Sequence, residues 1–241
     1  MTTFRGFRQE VLGFLRGLKK NNRRDWFEAR RETYVRELAE PMKALVEELD
    51  VRFADLAPEF VGDPKRSIFR IYRDVRFSRD KSPYKAHAAL WIYHRAPGRG
   101  VGKEIDGGAG FYLHVEPGGS LVAGGLWMPP RSSLDLVRAR FDRDLAGWER
   151  AVSGIAFTRR FGKLLDDENG VLLKRLPRGY AEGHPAAKWL RYNSFTVHRH
   201  YDDAAILAPN LVDRTMKDFA AMVPMCRWLN RALGYLPAQR R

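Results

Sequence analysis

Arginine recurs at every third position in FRIYRDVRFSRDKSPYK, residues 69–85: Arg70, Arg73, Arg76 and Arg79, with Lys81 and Lys85 following. Between residues 70 and 85 only Asp74 and Asp80 oppose these cations. Guanidinium and ammonium groups, the hydroxyls of Ser78, Ser82 and Tyr84, and the stiffening Pro83 together suit recognition of phosphate, sulfate or carboxylate. As a strand, the segment sends Phe69, Ile71, Arg73, Val75 and Phe77 to one face, so Arg73 sits among apolar neighbours. A guanidinium there keeps its charge and requires a carboxylate or a bound anion as acceptor. As a helix, Ile68, Ile71, Tyr72 and Val75 share a face and the arginines share another. Both readings stand on pattern, and the β-branched and aromatic content favours the strand. The expected ligand contacts are therefore Arg73, Arg76, Arg79, Lys81, Tyr84 and Lys85. Asp74 and Asp80 orient the arginines or, in a second reading, serve as acid–base groups beside them.

Other chemistries find less support. No phosphate-binding Gly-Lys-Ser loop, dinucleotide fingerprint or Gly-x-Ser-x-Gly nucleophile turn occurs. Cys226 is the single cysteine, which excludes an internal disulfide and a four-cysteine metal site. His198 and His200 would share a strand face, but no third ligand follows at a diagnostic spacing, so no metal and no cofactor are expected. Lys174, Arg175 and Arg178 in KRLPRGY form a second basic cluster. Were it to meet the first, Tyr72, Tyr84 and Tyr180 would wall the cleft between them.

The chain has 241 residues and a formal net charge of +14. Residues 61–200 hold a net +11 of that charge, a field that gathers anions. Arginine-rich composition alone gives a similar total, so the charge marks a partner's sign only where it is concentrated. No apolar run reaches the ~20 residues of a membrane span. The charged N-terminal segment lacks the apolar centre of a signal peptide, and a cytoplasmic location is expected.

The elements that must position the basic segment follow from periodicity. Phe7, Val11, Phe14, Leu15 and Leu18 predict a helix ended by Asn21-Asn22. Asn22 with Asp25 predicts the cap of a second helix, and Pro41 its end or kink. FYLHVEP, Gly118-Gly119 and SLVAGGLWMPP predict a hairpin. Ser133 is expected to cap a further helix, and Leu211–Leu233 to form a terminal one. The expected fold is α+β: a predominantly antiparallel sheet flanked by helices, in a single domain over 1–241. Within it, 1–57 is helical, 66–130 holds antiparallel strands and 131–241 is mixed.

Four blocks, NNRRDWFEARRETY, RIYRDVRFSRDKSPYK, GGLWMP and LKRLPRGYAEGHPAAKWLRYNSF, resemble, in order, the conserved-hypothetical bacterial family called domain of unknown function 2461. The resemblance implies one bacterial cytoplasmic domain and brings no activity with it. It places Arg73, Asp74, Arg76, Phe77, Asp80, Lys81, Pro83, Tyr84 and Lys85 in a shared motif. The leading expectation is a module binding an anionic, phosphate-bearing small molecule. A metal-independent enzyme on such an anion, an arginine-rich structural domain, and a non-specific nucleic-acid binder stacking bases on Trp91, Tyr93 and Tyr84 are the alternatives.

Overall fold

The computed structural model describes residues 4–76, 80–100, 107–166 and 170–237. Five strands form one sheet in chain order: β1 (Phe60–Val61), β2 (Ala88–His94), β3 (Gly110–Val115), β4 (Ser120–Leu126) and β5 (Phe195–Tyr201). Every neighbouring pair is antiparallel. Helices α1 (Gln9–Lys20), α2 (Arg24–Glu28), α3 (Arg31–Tyr34) and α4 (Glu40–Leu56) precede the sheet. After β4 come α5 (Arg131–Ser153), α6 (Ile155–Phe161) and α7 (Ala187–Leu190). After β5 come α8 (Asp203–Leu207) and α9 (Leu211–Ala232). The fold is α+β, as the sequence predicts.

Strand alternation decides which side meets the helices. Leu90, Ile92, Phe111, Leu113 and Val122 are fully buried on one face. Phe111 packs there on Phe53 of α4 at 4.9 Å, Phe60 of β1 at 4.8 Å and Phe219 of α9 at 5.2 Å. Burying each such ring is worth roughly 1.5–3 kcal/mol. The buried side chains form one continuous cluster from Phe7 to Leu229. Among the described residues, no helix is long and apolar enough to cross a membrane.

Three local expectations are corrected. Asn22 does not cap α2, whose first residue is Arg24 and which has no side-chain cap. Instead its amide clamps the backbone of Tyr84: Nδ2 donates to the Tyr84 carbonyl at 2.9 Å, and the Tyr84 N–H donates to Oδ1 at 3.0 Å. Pro41 does not end the helix. Its ring falls in the first turn of α4, where a missing N–H is harmless, and Val35–Ala39 just before it widens into a π-helical turn. Ser133 lies buried inside α5, whose N-cap is Pro130.

Asn22 thus ties the α1–α2 junction to the basic segment 62 residues away. Asn22→Ala removes both bonds and leaves a partly buried N–H and carbonyl without this partner. A loss of about 1–3 kcal/mol is expected in urea denaturation, with the far-UV circular dichroism of the native state unchanged.

Candidate functional site

Residues 67–73 run antiparallel to 83–91. Phe69 N–H donates to the Ala89 carbonyl at 3.0 Å, Arg73 N–H to Pro83 at 2.9 Å and Lys85 N–H to Ile71 at 2.7 Å. The expected strand nevertheless does not form as a regular element, because Ile68–Leu90 and Tyr72–Tyr84 are isolated bridges. Four positions separate the bridges on the first arm and six on the second, so the second arm bulges between them. His87 lies within this irregular stretch.

The structure disperses several of the expected ligand contacts. Tyr84 is buried and stacks on Phe27 at 4.2 Å, so its ring is part of the core. Exposed Arg76 grips Asp74 with Nε at 3.0 Å and Nη2 at 2.7 Å. That grip holds the Asp74 carboxyl down at about 2. Lys81 donates to the Val75 carbonyl at 2.8 Å. The Asp80 carboxyl is lowered chiefly by hydrogen bonds from Ser82. Both aspartates therefore stay ionised near neutrality, which suits holding cations better than carrying protons. Arg79 falls outside the described residues.

Arg73 and Lys85 do converge. Arg73 Nη2 lies 3.1 Å from Asp80 Oδ2 and 3.5 Å from the Tyr84 carbonyl, while its buried Nε has no hydrogen-bond partner among the described residues. Lys85 is partly buried, with its Nζ 5.8 Å from the centre of the Phe69 ring. Arg99, from the loop after β2, covers the same ring at 4.8 Å. No carboxylate pairs with Lys85 among the described residues. Burial lowers the Lys85 pKa, and the nearby charges of Arg70, Arg73 and Arg99 lower it further. The acceptor expected for Arg73 is thus partly supplied by Asp80, and the cationic corner around it exceeds that one carboxylate.

Phe69 also forms one wall of a groove across the sheet face opposite the helices. Along this face Trp91 lies opposite Tyr112, Tyr112 opposite Ala123, and Ala123 opposite His198. The groove has a volume of about 440 Å³ and includes Trp127, Leu165 and Thr196 in its lining. Its floor depends on missing side chains. A Cβ on Gly110 would lie 2.4 Å from the Ile92 carbonyl oxygen and 2.7 Å from the Trp91 ring. Gly125 has φ 122°, and a Cβ there would meet the Phe195 carbonyl oxygen at 2.0 Å. Next to Trp127 in the chain, Met128 holds φ 40°, a left-handed conformation uncommon for a residue other than glycine. Trp91 Nε1 and Thr196 Oγ1 are buried on this face without a hydrogen-bond partner among the described residues.

Beside the corner stand His87, His114 and Glu116. The two imidazole centres are 4.3 Å apart, and His114 Nε2 lies 3.1 Å from Glu116 Oε2. Tyr112 Oη meets the other nitrogen of His114 at 3.0 Å. Burial pushes the His87 pKa down to about 4 and that of the Tyr112 phenol up to about 12. Burial also works against the Glu116 carboxylate, but hydrogen bonds from His114 and Lys19 outweigh it and keep the pKa low.

The remaining expectations resolve elsewhere. His198 and His200 share a strand face as predicted, with ring centres 4.9 Å apart. The KRLPRGY segment packs toward α5: Arg191 donates to the Lys174 carbonyl, and Tyr180 meets His184, which contacts Asp142. Sequence reasoning did not select Arg99, His87, Tyr112 or Glu116 for this site. For Tyr112 the signal was available only through strand parity, which puts Trp91, Tyr112 and His114 on one side once the β2–β3 register is known. Arg99, His87 and Glu116 lie on the loops and irregular stretch beside the strands, where parity gives no signal.

A family model described as a conserved hypothetical protein (DUF2461) matches residues 10–228. The chain belongs to this family. No curated protein and no solved structure matches it. Within this DUF2461 chain, GGLWMP supplies Gly125 and Trp127 to the groove, and RIYRDVRFSRDKSPYK supplies Arg73 and Lys85 to its corner.

Keeping a lysine ammonium partly buried among arginines opposes folding. The folded chain holds the Lys85 proton less tightly than the unfolded chain, whose pKa is near 10.5. The penalty is complete below the lowered folded pKa and is relieved as pH rises toward the unfolded value. Lys85→Met is therefore expected to raise the urea midpoint at neutral pH. It should also remove part of the stability the wild type gains between neutral pH and about pH 10. A lower midpoint for the variant at neutral pH would contradict this account.

Proposed function

We propose that this protein binds an anionic, phosphate-bearing small molecule whose apolar body lies in the groove. The negative group is received by Lys85, Arg73 and Arg99. The observation that carries the reading is the partly buried Lys85, set among three arginines with no paired carboxylate among the described residues. An anion there would offset both the mutual repulsion and the desolvation. The arginine fork offers directed hydrogen bonds, and the lysine a compact charge. Phe69, Trp91, Tyr112 and Trp127 give a planar body faces to stack on.

The basic segment then divides its labour. Arg76 with Asp74, and Lys81 with the Val75 carbonyl, shape the turn, while Arg73 and Lys85 face the ligand. The reading is of a binding module, since Asp74 and Asp80 are held ionised away from the range useful for proton transfer.

Thermal denaturation at low salt tests the two halves separately, using inorganic phosphate, phenyl phosphate and phenol. Phenyl phosphate is expected to stabilise most, approaching about 2.7 kcal/mol at a hundredfold excess over Kd. Lys85→Glu and Arg99→Glu should abolish the response to both phosphates. Trp127→Ala should reduce phenyl phosphate to the level of inorganic phosphate. An identical response of the wild type and Lys85→Glu would overturn the proposal.

A further inference from the structure

We propose that His87, His114 and Glu116 form a binding site for a divalent transition-metal ion, distinct from the anion corner and independent of that reading. The sheet register builds the site. Ala89 pairs with His114 and Ala88 with Val115, and at this end of the ladder His87, just before β2, and Glu116, just after β3, come close to His114. The three residues each offer one ligand atom, and those atoms all lie within 4.8 Å of one another. Among the described residues this is the only such group of three.

The surrounding contacts fix which atoms face the ion. Tyr112 Oη occupies His114 Nδ1 at 3.0 Å, leaving Nε2 directed at Glu116 Oε2. Ligating imidazoles characteristically use one nitrogen while the other is held by a hydrogen bond. Lys19 Nζ takes the other carboxylate oxygen, Oε1, at 3.1 Å, so Oε2 remains directed toward the histidines. Lys19 is two-thirds exposed, with 68% of its side chain accessible, and so holds Glu116 from the solvent side. Two imidazoles and one carboxylate suit zinc, iron(II), cobalt(II) or nickel(II) better than magnesium or calcium, which prefer all-oxygen shells. Three protein ligands leave coordination positions open to water or to a further ligand. His198 and His200 share a strand face as well, but no carboxylate completes a group of three with them among the described residues.

The test uses the full-length chain freed of metal by a chelator and titrated with Co²⁺, followed by competition with Zn²⁺. One ion per chain is expected, with visible cobalt bands that Zn²⁺ displaces. His114→Ala and Glu116→Gln should each weaken binding by about a hundredfold or more. Tyr112→Phe keeps every ligand and should weaken it about tenfold through loss of the outer hydrogen bond. His198→Ala should bind like the wild type. In the unmutated chain, the ring resonances of His87 and His114 should shift on adding Zn²⁺ while those of His198 and His200 stay, a readout that does not depend on any variant folding. Unchanged affinity in His114→Ala and Glu116→Gln, or zinc-induced shifts confined to His198 and His200, would overturn the site.

Discussion

The sheet packs its core face against helices, and much of the rest of the molecule follows from that asymmetry. Strand side chains alternate, so the register that buries Leu90, Phe111 and Val122 against α4 and α9 sends Trp91, Tyr112 and Ala123 to the opposite side. That opposite face is lined by bulky aromatics around small residues. Trp91 leans over Gly110, and Phe69 meets Tyr112 at 6.0 Å. A groove is the geometric result. Its width depends on Gly110, Ala123 and Gly125 as much as on the rings around them.

The charge of the chain falls into two kinds of arrangement. In the first, arginines answer buried carboxylates. Asp218, fully buried on α9, accepts Arg160 at 2.6 Å and Arg199 at 3.1 Å on one oxygen and the Tyr201 hydroxyl at 2.6 Å on the other. Glu59 grips Arg227 in the same manner. Removing one partner from such pairs leaves a buried charge, so these arginines are committed to the fold. The second arrangement is the corner at Arg73, Lys85 and Arg99, where Asp80 is one carboxylate among several cations and is itself half exposed. A net charge of +14 does not distinguish the two; the position of each carboxylate does.

How far the sequence could be read follows the same division. Helical stripes such as Val11, Phe14, Leu15 and Leu18, and the glycines of the β3–β4 turn, are local signals, and the structure has them where periodicity puts them. The basic segment was ambiguous because its pairing is irregular. Two extra residues between Tyr84 and Leu90 break the ladder, and nothing in the alternation of residues 69–77 announces a bulge on the other arm. Asn22 carried the signature of a helix cap and serves a partner 62 residues away, a choice only tertiary contact can make. Arg73 was marked as needing an acceptor on the premise of a regular strand, and the sequence could not say that Asp80 would answer one nitrogen while Nε stays buried without a hydrogen-bond partner among the described residues.

Tyr112 shows why the groove and the histidine cluster belong to one piece of architecture. Its ring lines the groove and packs on Phe69, the residue on which Lys85 and Arg99 converge. Its hydroxyl reaches beyond that apolar surface to His114 Nδ1, and His114 reaches Glu116. A single side chain therefore touches the apolar floor, the edge of the cationic corner and the cluster of metal-competent atoms. Phenylalanine there would keep the packing and lose the polar link. The para hydroxyl is the part of Tyr112 that packing alone does not require, and its position against His114 gives it a use.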